Sequence, residues 1–145
     1  MIGLIQRVTY ARVTVDNAIC GEINQGIMLL LGIQRDDDKS KANMLLAKVL
    51  NYRIFDNRQG KMNLSLRDTN GGLLIVPQFT LAADTQKGLR PSFSSAAPPE
   101  DAEILYNHFT ARAKAIYKDT QCGIFAADMQ VSLCNDGPVT FSLES

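Results

Sequence analysis

The stretch GIMLLLGI, residues 26–33, sets the reading of the rest of the chain. It carries no charge and is apolar at every position except its two glycines, so no register leaves one face for water. Such a run is typical of a central strand of a sheet. Toward the N-terminus, residues 2–8 and 12–15 mix apolar, β-branched and polar side chains as half-buried strands do, which predicts three early strands. Toward the C-terminus, DDDKSKANMLLAKVLNYRIF (residues 36–55) places Ala42, Leu45, Leu46, Val49 and Leu50 at i, i+3, i+4, i+7 and i+8. That is the stripe of an amphipathic helix, with the acids at 36–38 facing the positive end of its dipole. The acidic triplet reads as a cap, because no other ligand-type residue follows at a spacing a metal would need.

GGLLIVPQFTL (residues 71–81) predicts another strand, apolar for four residues and changing character at Pro77. Residues 82–99, AADTQKGLRPSFSSAAPP, are long and rich in Gly, Pro, Ser and Ala, as a functional loop is. Pro98 and Pro99 pre-set the first turn of a second amphipathic helix with Ala102, Leu105, Phe109 and Ile116 on one face. Strands at 128–134 and 139–143 close the chain. Between them, Asp136-Gly137 by itself reads as a hairpin turn, with Pro138 starting an edge strand. Strands combined with two amphipathic helices make the fold class α/β, and 145 residues without repeats or linkers predict one domain, residues 1–145.

Composition removes several functional classes. Fifteen basic and fifteen acidic side chains cancel, so no global field draws the protein to a phosphate backbone, and DNA is not an expected partner. Cys20, Cys122 and Cys134 are odd in number and lack a C-x-x-C, which argues against a disulfide framework or a zinc site and for free thiols. The N-terminus has no basic n-region, and no 18-residue apolar run exists. A cytoplasmic protein, with no membrane association, no metal and no cofactor, is expected. His108 is the only histidine and falls mid-helix without a marked nucleophile beside it. No G-x-S-x-G, P-loop or G-x-G-x-x-G is present. An enzyme built from these residues needs a reactive group other than a conventional side chain.

Four segments, VPQFTLAAD (76–84), GLRPSF (88–93), FAADMQVSL (125–133) and NDGPVTF (135–141), occur in one register along a chain that begins MIGLIQRVTYARVTV. Together they resemble the D-aminoacyl-tRNA deacylase family over practically the whole chain. The resemblance implies a homodimeric, β-barrel-like α/β fold that hydrolyses the ester joining a D-amino acid to the 3′ end of tRNA. It also implies removal of glycine from wrongly charged tRNA(Ala). In the family the Gly-Pro dipeptide is cis and enters the partner's active site, which would make Gly137 and Pro138 a rigid wall that excludes L side chains. X-Pro is the one pair in which a cis bond is cheap. Selection by clash suits an editing enzyme.

At the strand end, main-chain N–H groups leave the ladder, so Gln78 and Phe79 are expected to form an oxyanion pocket lined by Thr80. Thr80 has no base in sequence to activate it as a nucleophile, which favours assistance by the 2′-hydroxyl of the terminal adenosine. Arg7 matches the arginine that braces the Gly-Pro segment, the alternative being a solvated strand residue. Phe125 and Met129 match pocket-wall positions and, as lone features, would be core residues. The chain departs from the family at Pro77, where Ser is usual. Proline removes that hydroxyl and one N–H, which bears on rate, while the strand itself is expected to survive. A non-catalytic RNA- or small-ligand-binding dimer on the same scaffold is the alternative function.

Overall fold

The computed structural model describes residues 1–86 and 88–145; Lys87, within the loop expected at 82–99, lies outside the described residues. The central strand is β3 (Gly26–Gly32), preceded by β1 (Ile2–Val15) and β2 (Ala18–Ile23). Helix α1 (Lys39–Asn51) follows, then β4 (Phe55–Asp56), β5 (Met62–Leu64), the one-turn α2 (Leu66–Thr69) and β6 (Gly72–Pro77). A 3-10 turn (Phe79–Ala82), α3 (Pro99–Ile116), β7 (Thr120–Cys122) and β8 (Gln130–Glu144) complete the order.

Alternation explains the unbroken apolar run of β3. Ile27, Leu29 and Leu31 belong to one core, while Met28 and Leu30 point into another. In β6, Leu73 and Ile75 join the first core and Leu74 and Val76 the second. Successive side chains of a strand point to opposite faces, so a sheet covered on both sides must be apolar throughout. The first core lies under α1 and α3, which contribute Ala42, Leu45, Leu46, Val49, Leu50, Leu105 and Phe109. The second, with Val8, Ala11, Val13 and Ile23, fills the inside of the curved sheet.

The sheet runs β2-β1-β3-β6-β7, with β8 also paired to β1. Curvature is possible because β1 changes partner midway: residues 2–8 pair with β3, residues 11–15 with β2. β2 is thereby carried over β6 and β7, where a Cβ on Gly21 would stand 3.0 Å from Leu74 Cδ1 and 3.1 Å from the Cys122 carbonyl. The result is a nearly closed, barrel-like sheet. β3 and β6 run parallel and in contact at Gly26 and Gly72, whose backbones approach so closely that any Cβ on Gly26 would overlap the Gly72 carbonyl.

Three expectations need correction. Residues 2–8 and 12–15 are one strand, not two. β2, β4, β5, α2 and β7 are absent from the sequence reading, although Asp16 and Asn17, at φ 48° and 64°, form the left-handed hairpin turn before β2 that their residue types favour. Most consequentially, Asp136-Gly137 is not a hairpin. Residues 130–144 form one strand whose two halves both pair antiparallel with β1, from Gln130 opposite Thr14 to Glu144 opposite Ile2. The extra residues are absorbed as register shifts opposite Arg7 and Thr9. Asn135 secures the bulge: its Nδ2 donates to Thr140 Oγ1 at 2.8 Å, and its Oδ1 accepts from the Val139 N–H at 3.0 Å. A hairpin would have left half of β1 without a partner on that edge, and the long β1 template overrides the local turn preference.

The helices follow the predicted faces. Asp38 caps α1 by accepting from the Lys41 N–H at 2.8 Å, whereas Asp37 is withdrawn into a pair with the Met1 ammonium at 2.5 Å. In α3, Ala102, Leu105 and Phe109 are buried as expected, and Ile116 is half-buried. His108 meets Asn43 Oδ1 of α1 at 3.2 Å, as a helix-surface residue. No helix among the described residues is long and apolar enough to cross a membrane.

Candidate active site

A cleft of about 890 Å³ opens where β6 ends. Pro77, Gln78 and Phe79 supply one side, Phe125, Ala126 and Met129 another, and Phe93 with Ala97 and Pro98 a third. Four of the predicted site residues therefore come together with Gln78: Pro77, Phe79, Phe125 and Met129. Thr80 stands beside the cleft and is tied to it by Gln78, whose Nε2 donates to Thr80 Oγ1 at 2.5 Å.

The backbone at this point decides what the site offers. The Gln78 N–H stays in the ladder, donating to the Leu31 carbonyl at 2.8 Å, so the expected Gln78 main-chain donor is already occupied. The next two N–H groups, of Phe79 and Thr80, open the 3-10 turn and precede the first carbonyl that such a turn can pair. Of the two expected donors, the Gln78 N–H is committed to the sheet, while the Phe79 N–H lies at the start of the turn. Pro77 costs the sheet nothing. Adjacent N–H groups in a strand point to opposite sides; since Gln78 donates to β3, the missing Pro77 donor would face the other edge, past the end of β7, where the last bond runs from the Gly123 N–H to the Ile75 carbonyl. The strand survives the proline, as expected.

The far wall is fixed by Tyr106 of α3. Its hydroxyl donates to the Gly123 carbonyl at 2.8 Å, with the Ile75 carbonyl at 3.4 Å, and its ring packs on Phe125 with centroids 5.8 Å apart. Burial raises the Tyr106 pKa, keeping it a neutral donor. Gly123 in turn donates to the Ile75 carbonyl at 2.8 Å, joining the segment that carries Phe125 and Met129 to the end of β6. Ala126 holds φ 59°, an uncommon conformation for alanine, at the turn that presents this wall. At the mouth, Phe79 and Phe93 meet with centroids 5.1 Å apart, Phe79 being 63% exposed.

Arg35 is the one ionisable side chain among the described cleft residues, and sequence reading missed it together with Phe93 and Ala126. Phe93 lies in the quoted GLRPSF segment, but nothing in that segment signalled that it would fold back onto Phe79. Cys122 is partly buried, and burial pushes its thiol up, away from thiolate chemistry. Among the described residues no group of three or more His, Cys, Asp or Glu is placed to hold a metal ion.

Gly137 and Pro138 lie elsewhere. Their peptide bond is cis, both residues are exposed on β8, and neither borders the cleft of the same chain. Arg7 grips this segment from beneath. It is only 8% exposed, its Nε donates to the Asp136 carbonyl at 3.1 Å, and its NH1 donates to the Ile54 carbonyl at 2.8 Å. The Asp136 and Asp56 carboxylates stand at 3.3 and 3.6 Å. The reading of Arg7 as a solvated strand residue is thus excluded. One chain presents two separate features, a cleft with main-chain donors and a braced Gly-Pro projection on another face.

The fold places the molecule among α/β proteins with a nearly closed, barrel-like sheet. Its fold is shared by a probable eukaryotic D-amino acid tRNA deacylase, with a TM-score of 0.84 and 98% of each chain covered at 16% identity. A structure described as c-Myc DNA Unwinding Element Binding Protein matches with a TM-score of 0.95 and 40% identity, covering 100% of this chain and 99% of that one. D-aminoacyl-tRNA deacylases of Haemophilus ducreyi and Stutzerimonas stutzeri are 62% and 60% identical, the first over 99% and the second over 100% of both chains. The family model described as D-Tyr-tRNA(Tyr) deacylase matches residues 4–144, and the chain belongs to that family of hydrolases.

Proposed function

We propose that the protein hydrolyses the ester of D-aminoacyl-tRNA, releasing the free amino acid and tRNA, and that a Gly137-Pro138 segment lent by a second copy provides the chiral selection. The observation that supports this reading is the strand-end cleft, which Phe79 lines at the start of a 3-10 turn whose first N–H groups precede any turn carbonyl, and whose walls carry, among the described residues, no activated nucleophile and no general base. Such a site suits a reaction in which the substrate supplies part of the chemistry. Water attacks the ester carbonyl, and the Phe79 and Thr80 N–H groups receive the developing oxyanion. The bond to the ribose 3′-oxygen then breaks, and the neighbouring 2′-hydroxyl orients the water and relays its proton to the leaving oxygen. Gln78 acts by holding the Thr80 hydroxyl, and Phe125 and Met129 pack against the terminal base.

Because Gly137 and Pro138 do not line the cleft of their own chain, their role requires a homodimer. Carbonyl oxygens held rigidly beside the substrate's α-carbon reject an L side chain and admit a D side chain or the hydrogen of glycine, so glycyl-tRNA(Ala) is a second substrate. Arg7 keeps the segment in position through the neighbouring Asp136 carbonyl. The charge balance of the chain supports an acceptor-end substrate rather than extended DNA, and cytoplasmic action follows from that substrate. Deacylation of D-tyrosyl-, L-tyrosyl- and glycyl-tRNA by the purified protein tests the reading: the D ester and the glycyl ester are cleaved far faster than the L ester. Equal D and L rates refute it. The non-catalytic alternative rests on Pro77, which lacks the family's serine hydroxyl, and predicts that only Pro77→Ser gains measurable hydrolysis.

A further inference from the structure

We propose that Arg35 forms a subsite for the phosphate joining the terminal adenosine of the substrate to the nucleotide before it; the inference rests on the deacylase reading above. An aminoacyl-adenosine fills an apolar cleft without bringing an anion. The first anion any acceptor end must carry is the phosphodiester at the 5′ side of that nucleoside, just outside the cleft. At the mouth, Arg35 is the only ionisable side chain that the described residues present to the cleft, and it is exposed.

Its backbone is anchored. The Arg35 N–H donates to the Ser95 carbonyl at 3.0 Å, and the preceding Gln34 is bridged to Ala96. Beyond it lies a smaller hollow of about 280 Å³ that also contains Lys39, Asp38 and Asp101. The acids around Arg35 have other work. Asp37 is paired with the Met1 ammonium and lies 3.7 Å from Lys41 Nζ, and Asp38 caps α1. Asp101 sits in the first turn of α3, where the helix dipole favours a negative charge. Among the described residues Arg35 forms no ion pair with any of them; the close cation–carboxylate pairs there are made by Arg7, Arg12, Lys41 and the amino terminus. A planar guanidinium with uncommitted donors matches two phosphate oxygens at once, and Lys39 adds positive potential behind it.

The test compares Arg35→Ala with the unaltered protein on two esters, D-tyrosyl-tRNA and the phosphate-free 3′-O-D-tyrosyl-adenosine, at several salt concentrations. The loss in kcat/KM on the tRNA ester exceeds the loss on the nucleoside ester by about tenfold and appears mainly in KM, as expected for one charge-assisted contact. The dependence of log KM on log salt weakens by roughly 0.7, the value for one single-strand phosphate. Arg35→Lys recovers part of the difference. Equal losses on both esters, or an unchanged salt dependence, overturn the subsite while leaving the hydrolase reading intact. An unaltered protein that cleaves neither ester overturns the reading itself, and this inference with it.

Discussion

Replacing Gly137 by alanine perturbs the proposed wall by a single methyl group. Gly137 holds φ 126°, a region that L residues rarely occupy, and the added Cβ would stand 2.8 Å from Val139 Cγ2 and 3.1 Å from Arg7 NH2. The backbone strain costs roughly 1–3 kcal/mol, and crowding against a β-branched side chain adds about 1 kcal/mol or more. Arg7 cannot swing aside freely, because its other nitrogens are bonded to the Ile54 and Asp136 carbonyls. The cheaper relief is a shift of the 137–138 peptide itself. At a fixed protein concentration, a loss of about 2–4 kcal/mol lowers the urea midpoint by about 1–2 M for a slope near 2 kcal/mol/M. A displaced wall that gives up about 1.4 kcal/mol of discrimination lowers the D-to-L rate ratio tenfold. Urea unfolding followed by circular dichroism reads the first effect, and single-turnover deacylation of D- and L-tyrosyl-tRNA the second. A Gly137→Ala protein with an unshifted midpoint and an unchanged ratio would refute both the geometry and the assigned role.

Arg7→Gln removes one buried and one partly buried charge-assisted bond, worth about 1.5–3 kcal/mol each, while its half-exposed carboxylate partners add little. A loss of roughly 3–5 kcal/mol in urea unfolding is expected, with Arg7→Lys recovering less than half of it because an ammonium lacks the two-sided fork. Tyr106→Phe leaves the Gly123 carbonyl without its hydroxyl donor beside the Phe125 wall, and is expected to lower stability by about 1–2 kcal/mol and to raise KM more than it lowers kcat. In α2, hydrogen bonds from the side chain and N–H of Ser65 hold the Asp68 carboxyl below its ordinary 3.8. A depressed folded-state value means that this contribution is complete above the unfolded-state value and is lost as pH falls through the folded one. Asp68→Asn therefore lowers Tm at pH 7, and the difference from the unaltered protein shrinks toward pH 2 in thermal unfolding followed by circular dichroism.

Local chemistry wrote the elements and the residue types of the site into the chain. The run at 26–33 had to be buried on two sides, the stripes at 42–50 and 102–116 had to face a core, and the distinctive segments at 76–84 and 135–141 named the family. The tertiary structure decided how these pieces were joined. Asp136-Gly137 carries a hairpin signal, yet a long partner strand offered a full ladder and kept residues 130–144 extended. Gln78 reads as a free main-chain donor in one dimension, but its N–H is committed to the Leu31 carbonyl of β3. Arg35 and Phe93 reach the cleft mouth only because two loops far apart in sequence are stitched together at Gln34 and Ala96. Patterns of polarity are local and survive in one dimension, whereas hydrogen-bond partners and cleft membership depend on which distant segments the core brings into register.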